Sequence, residues 1–485
     1  MNILAKQFPA LQILIPLAGA ILATLTFNRF FSWIIAIISI FLSLVLSVYA
    51  FQLTKVTSIF YAFGNWSAPI GIEYRLDNLN QPIIIFINAV LLFFLVFGKE
   101  LINTTITNYI DDSKQHIFYS LLLFAHIGYL GVLSTNDLFN IYVFVEISSL
   151  STYVLMSKGR SSKALIGAFD YLIMGTIGAT LILIGIGFLF ARTGSLNISD
   201  IANILSNSDN SRLVTTAVAF FITGVILKMA FFPMHFWMIR SYSSTAPFVL
   251  TYLAAISSIL GVYITLRFIH FTIDNKTIIT TLSLILRPIA IFTIAICTFL
   301  ALKSRDFKKV IIYSTASQIG YIFLLITIPE AKQLLFQLLI IDAVNKIALF
   351  TIVAHIQNKK EDLSFRNFVY IEKSTFFKIL VAFSLLFSSG MPITSMFLIK
   401  INMFDLLISK NLITELVIVV LGSMLALLYH LRLAKAIFFS PYHNETIKIE
   451  TKLYGLTAIV IIQIVSLIYM NTMTTIAGYA TSVIL

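Results

Sequence analysis

Long apolar runs separated by short polar breaks repeat along the whole chain. A helix needs about 20 consecutive apolar residues to cross the hydrocarbon core of a bilayer. Matching runs against breaks predicts spans over residues 10–27, 31–52, 79–98, 116–133, 137–157, 164–191, 213–239, 247–270, 281–301, 307–328, 331–356, 376–408, 411–439 and 454–474. The expected fold is an all-α polytopic membrane protein of about fourteen transmembrane helices, its weakest breaks at 134–136 and 329–330. The opening run, 11–27, has the length of a signal sequence, but the pattern continues to the last residue, so it is read as the first span. Two runs are too long for one straight helix. Segment 213–239 carries Pro233, and 376–408 carries Gly390 and Pro392. Proline removes a backbone donor, so a break there leaves polar groups that must face protein or a water-filled cavity.

Composition agrees. Hydrophobic residues make up 59% of the 485 and charged residues 11%, with a mean hydropathy of +0.96. Soluble domains carry about a quarter charged residues, which excludes that class. The net charge of +12 sits in loops rather than in a basic arm that could follow a phosphate backbone, so nucleic acid is not an expected partner. Odd-numbered loops hold 20 basic residues, among them Arg160, Lys308, Lys359, Lys360, Arg366, Lys373 and Lys452. The even-numbered side holds 10, among them Arg75, Arg267 and Arg287. The positive-inside bias then makes the odd loops cytoplasmic and puts both termini outside. Cys297 is the only cysteine, so neither an intrachain disulfide nor a thiolate metal cluster can form, and no cofactor is expected.

The remaining three of 33 basic residues, Lys228, Lys346 and Lys400, lie within spans. Ionisable groups in hydrocarbon are costly and mark function by default. Glu146 is mid-span in DLFNIYVFVEISSL, Lys228 precedes the Pro233 break, and Lys346 follows Asp342 by four residues, one helical turn. Lys400 follows the Gly390–Pro392 break. A low-dielectric site brings the charged and neutral forms of such groups closer in free energy, as a proton relay requires. The plainer readings are a snorkelling lysine or a single structural ion pair, with Asp342 a fixed partner for Lys346. His235, just past Pro233, is a candidate proton handler. His126 and His430 read as hydrogen-bonded core groups. Asp170 has no evident role.

An internal echo suggests duplication. NDLFNIYVFVEIS and RDFKKVIIYSTAS each open on an aspartate, Asp137 and Asp306, ahead of an apolar span. Two spans later come the interrupted helices with Lys228 and Lys400. Spans 4–8 and 9–13 thus match in order, as in repeat-built transporters whose broken helices flank an ion path. The chain divides into 1–115 (helices 1–3), 116–272 (helices 4–8), 273–440 (helices 9–13) and 441–485 (helix 14).

DLFNIYVFVE, LKMAFFPMHFW, TAPFVLTYLAAIS, DFKKVIIYSTASQIGYIFL, NKIALF and GMPITSMFLIK, in that order, resemble the antiporter-like family. That family contains proton-pumping membrane subunits of respiratory complex I, membrane-bound hydrogenase subunits, and the A and D subunits of Mrp-type sodium/proton antiporters. The resemblance covers nearly the whole chain. It implies fourteen helices with two inverted five-helix repeats, and a glutamate on helix 5 paired with a lysine on helix 7. Further lysines follow on helices 8, 11 and 12. The matching positions are Glu146, Lys228, Lys346 and Lys400; the helix 8 lysine, due near Ser258 or Ile259, is missing. Asp342 stands where some members carry histidine. Lys400, and an end soon after span 14 with no lateral helix, bring the chain closest to the Mrp D-type subunit or its complex I and hydrogenase relatives.

The expectation is a proton-translocating subunit, with sodium/proton antiport as one version, that works beside other membrane subunits in a bacterial cytoplasmic (inner) membrane. One alternative is a complex I subunit. The sequence shows no flavin, quinone or iron–sulfur signature, so redox chemistry would lie elsewhere in that complex. The other alternative is a non-conducting scaffold, motivated by the missing lysine.

Overall fold

In a computed structural model the chain is described over residues 6–481, except 160–161, 207–211, 274–275, 358–362, 366–370, 373–374, 439–446, 449–452 and 469. Arg160, Lys359, Lys360, Arg366, Lys373 and Lys452 of the loop-charge count lie outside the described residues. Among those described there are 19 helices and two two-stranded sheets, and 11 helical segments are long and apolar enough to cross a membrane.

Helices α1 (Phe8–Leu25) and α2 (Arg29–Thr54) lead to an antiparallel hairpin, β1 (Ile59–Ala62) with β2 (Glu73–Leu76). Then come α3 (Asn80–Phe97) and a short α4 (Lys99–Tyr109). The next stretch holds α5 (Gln115–Ser134), α6 (Leu138–Ser157), α7 (Ser162–Thr193), α8 (Ile198–Ser206), α9 (Arg212–Lys228), α10 (Phe236–Ser244) and α11 (Pro247–Leu266). The second half holds α12 (Lys276–Lys303), α13 (Phe307–Ile326), α14 (Lys332–Gln357), α15 (Thr375–Ser389), α16 (Ser395–Ser409) and α17 (Ile413–Phe438). Helices α18 (Tyr454–Ile468) and α19 (Met470–Thr481) close it, and Ile371–Glu372 pairs in parallel with Ile447–Lys448.

Both weak breaks are helix boundaries. Asp137 caps α6, its carboxylate accepting from the Asn140 amide at 2.7 Å, and Asp306 caps α13 in the same way from Lys309 at 2.9 Å. Such a cap satisfies one of the free amides of a helix start. Each cap is clasped by a distant loop. Leu138 N donates to Leu196 O and Ile198 N to Asn136 O; Phe307 N donates to Leu363 O and Phe365 N to Arg305 O. A two-bond clasp of the same form thus stands at both Asp137 and Asp306.

The two overlong runs divide where the prolines lie. Between α9 and α10 the chain passes through Ala230 at φ 57°, and between α15 and α16 through Gly390 at φ 75° and Ile393 at φ 74°. Left-handed backbone at non-glycine residues is uncommon and strained. The freed backbone groups find partners. Trp237 Nε1 donates to Leu227 O at 3.1 Å, Phe232 N donates to Thr293 Oγ1 at 3.3 Å, and the Thr394 hydroxyl accepts from Phe397 N.

Burial sorts the helices. Within their apolar windows, 94% of α14 and 89% of α11 and α13 are enclosed by protein, against 33% of α2 and α17. The peripheral helices turn side chains such as Phe41, Val45, Leu421 and Leu428 outward, where acyl chains solvate them. The broken helices flank the enclosed row. Gly178 of α7 lies against the Gly224 carbonyl and the stem of Lys228; a Cβ there would stand 3.0 Å from each, so glycine permits this close approach.

Candidate functional site

Lys228 ends α9, and its Nζ lies 3.6 Å from Glu146 Oε1 of α6 and 3.2 Å from Ser149 Oγ one turn further along α6. Both charged side chains are about four-fifths buried. Lys228 borders a cavity of about 80 Å3 whose polar lining also includes Ser148, Ser149, Thr152 and Tyr129. The pair is looser than a direct hydrogen bond, and Ser149 holds the ammonium in place while the carboxylate stays within coulombic reach.

The second group lies wholly within α14. Lys346 Nζ meets Asp342 Oδ2 at 2.5 Å, one turn earlier, and donates to Ser258 Oγ of α11 at 3.1 Å. Side-chain exposure of 4% and 3% makes this a fully desolvated pair, and removing one member of such a pair typically destabilises a protein by about 3–5 kcal/mol. Asp342 is therefore the direct partner of Lys346, the arrangement the i, i+4 spacing predicts.

Lys400 is different. It is buried, and among the described residues no carboxylate lies within ion-pair distance. Its Nζ donates to the Ser389 carbonyl at 3.3 Å, at the C-terminal end of α15, and lies 5.8 Å from the Tyr321 ring centre. Gly390 leaves the space: a Cβ there would stand 3.1 Å from Nζ. Between Lys346 and the C-terminal helices, the buried Ser317 Oγ, Gln318 Oε1, Asn345 Nδ2, Thr351 Oγ1 and Gln463 Oε1 have no protein partner, while Gln463 Nε2 donates to Asn345 Oδ1 at 2.8 Å. Buried polar atoms of this kind call for ordered water.

Four predicted ionisable groups thus gather around α14 and its neighbours, and Glu146 joins through Lys228. His235 does not. It is buried behind the first break against Phe236, with ring centres 4.3 Å apart, and reaches none of the lysines. His126 is a core group whose two ring nitrogens engage Asn88 Oδ1 at 2.8 Å and the Tyr252 hydroxyl at 2.9 Å. His430 Nδ1 bonds the Ala426 carbonyl at 2.8 Å. Asp170 pairs with Arg240 at 3.4 Å.

Four charges counted as loop residues prove to be inside the fold. Arg267 reaches Asp77 at 2.5 Å, and Arg75 adds a contact to the same carboxylate at 3.1 Å. Lys308 Nζ donates to the carbonyls of Ser243 and Thr245 and to Gln357, tying the end of α10 to the start of α13. Arg287 lies within α12, 3.8 Å from Glu415. Loop counting misses them because a charge at a span edge looks alike whether it turns to solvent or inward. Ser149 and Tyr242, which border the lysines, carry no signal in the sequence beyond being polar, and Ser258 stands out only as a position where the resemblance expects a lysine.

The family model for the transmembrane region of NADH:quinone oxidoreductase and Mrp antiporter proteins matches residues 135–426. NADH-quinone oxidoreductase subunit N of Desulforudis audaxviator is 36% identical over 265 residues, 54% of this chain and 52% of that protein. The putative antiporter subunit mnhD2 of Staphylococcus epidermidis is 25% identical over 452 residues, 90% of this chain and 87% of that one. Among solved structures, a chain of the archaeal membrane-bound sulfane sulfur reductase superposes with a TM-score of 0.88 at 22% identity, covering 100% of this chain and 98% of the other. A chain of the Mrp complex from Dietzia gives 0.87 at 17% identity, covering 99% and 97%, and one of Thermus thermophilus respiratory complex I gives 0.79 at 16%, covering 98% and 100%. These likenesses fix the fold.

Proposed function

Because the chain belongs to the NADH:quinone oxidoreductase/Mrp antiporter transmembrane family, we propose that it is a proton-translocating membrane subunit of a multisubunit complex, of the Mrp D type. The observation that carries this is the set of buried acid and base groups on α6, α9, α14 and α16: Glu146 with Lys228, Asp342 with Lys346, and Lys400. An ammonium and a carboxylate held in hydrocarbon exchange stability with each proton gained or lost, so protonation at one pair changes the field at the next. A proton entering at Lys228 loosens or tightens its contact with Glu146, passes to Lys346, and leaves by Lys400.

Two five-helix units, within 116–272 and 273–440, form the frame of this path. Their common clasps at Asp137 and Asp306 and their breaks near Pro233 and Pro392 support the division. With the odd loops cytoplasmic and both termini outside, the two clasps lie on opposite membrane faces, as an inverted repeat requires. The membrane is the bacterial cytoplasmic one. Sodium is a second cargo in an antiporter version of the cycle.

Changing Glu146 or Lys228 to Ala in the assembled complex is expected to abolish proton flux in inverted vesicles while insertion and copurification persist; unaltered flux removes the mechanism. A second reading, a complex I subunit whose flux is driven by electron transfer elsewhere, is favoured by the 36% identity to the Desulforudis protein. Copurification with peripheral redox subunits supports it, whereas small membrane subunits alone support the antiporter.

A further inference from the structure

The sequence lacks a titratable group on α11 at the point where the two halves meet, and serine cannot hold a proton's charge. The structure shows what stands there instead. A cavity of about 20 Å3 touches both Lys228 and Lys346, and its polar lining is Tyr242, Ser257, Ser258 and Thr315. A space of that size holds about one water molecule, which needs two to four polar partners. Ser258 Oγ already accepts from Lys346 Nζ at 3.1 Å, so its own hydrogen is free to point elsewhere. Ser257, the next residue, faces the other half, with its Oγ 3.5 Å from the Tyr242 hydroxyl. Adjacent helix positions point about 100° apart, so one dipeptide addresses both sides.

We propose that Ser258 and one water in this cavity, held in place by Ser257 and Tyr242, carry protons between Lys228 and Lys346 in place of a lysine on α11. This rests on the proton-translocating reading above. In the step, the Lys228 ammonium gives a proton to the water as the water gives one to Ser258 Oγ. Ser258 gives its original hydrogen to the neutral Lys346 amine. Each oxygen ends with the protons it began with, and one charge has moved from Lys228 to Lys346. No charge rests on a serine. Tyr242 is a positioning residue that orients Ser257 and the water.

The test measures proton flux in inverted vesicles holding the assembled complex. The double variant Ser257→Ala/Ser258→Ala should lower flux at least about tenfold, the scale on which a positioned proton-transfer group acts. Ser258→Thr, which keeps a hydroxyl, should retain flux, and Ser257→Ala/Ser258→Lys should recover it by supplying a titratable group. Tyr242→Phe should lower flux and enlarge its solvent deuterium isotope effect; an unchanged isotope effect removes Tyr242 from the bridge. Flux lost on Lys228→Ala and Lys346→Ala but kept in the double alanine variant overturns the bridge alone. Flux that survives the lysine changes overturns the parent reading and the bridge with it. Loss in both the alanine and threonine variants without rescue by lysine marks a packing defect and also overturns the bridge.

Discussion

Asp342→Asn removes one charge from the α14 pair while keeping the shape of the side chain. In the native protein the Lys346 ammonium is stabilised by a carboxylate at 2.5 Å and by Ser258 at 3.1 Å, in a site 3–4% exposed. Breaking such a desolvated pair by removing one partner is worth about 3–5 kcal/mol. The asparagine carboxamide oxygen can still accept a hydrogen bond from the ammonium, worth about 1.5–3 kcal/mol, so it offsets only part of that loss. At 1.36 kcal/mol per decade, a net deficit of about 2–3 kcal/mol is a factor of about 30 to 160. If the proton passes through Lys346, flux at saturating driving force should fall by a similar factor. Asp342→Glu, which restores the charge on a longer stem, should recover most of it. The assay is dye-reported acidification of inverted vesicles, normalised to the amount of complex recovered. Asp342→Asn flux within about twofold of the native value would refute the placement of Lys346 on the path.

Two further outcomes follow from the buried charges and the topology. Arg267→Met leaves Asp77 enclosed with only Arg75 beside it, so thermal stability of the purified complex should drop by about 3 kcal/mol or more; an unchanged melting profile would show the pair to be dispensable. Cys297 is buried, so single cysteines report on sidedness against a silent background: Ser113→Cys should react with an impermeant maleimide from the cytoplasm and Thr57→Cys from outside, and reversed labelling would invert the topology.

Much of the fold was legible because the bilayer reduces the choice. In hydrocarbon only structures that satisfy their own backbone survive, so apolar runs become helices and prolines mark the breaks. The Pro233 and Gly390–Pro392 interruptions, the caps at Asp137 and Asp306, and the Asp342–Lys346 pair each follow from local rules of spacing. Pairings between distant spans do not. Glu146 and Lys228 are 82 positions apart, and only the family resemblance placed them together before the structure put them at 3.6 Å. Asp77 with Arg267, 190 positions apart, had no such aid, and Arg267 reads in the sequence only as a loop charge. His235 stands out in the sequence only by its closeness to Pro233; in the fold its ring packs on Phe236, and among the described residues it bonds none of the lysines.

The two breaks explain why Lys400 can do without an acid. A helix that stops inside a membrane ends in carbonyls without intrahelical partners, equivalent to about half a negative charge. Lys228 sits at the last position of α9, and the Nζ of Lys400 reaches the Ser389 carbonyl that ends α15. The second break therefore gives Lys400 a fixed, non-titrating counter-charge. Lys228 has the Glu146 carboxylate at 3.6 Å, whereas among the described residues no carboxylate lies within ion-pair distance of Lys400. A fixed dipole stabilises the ammonium without holding a proton itself, so the final site can release its proton without a carboxylate competing for it. In the proposed cycle that asymmetry gives the row of lysines a direction, from a pair that captures charge to a single group that lets it go.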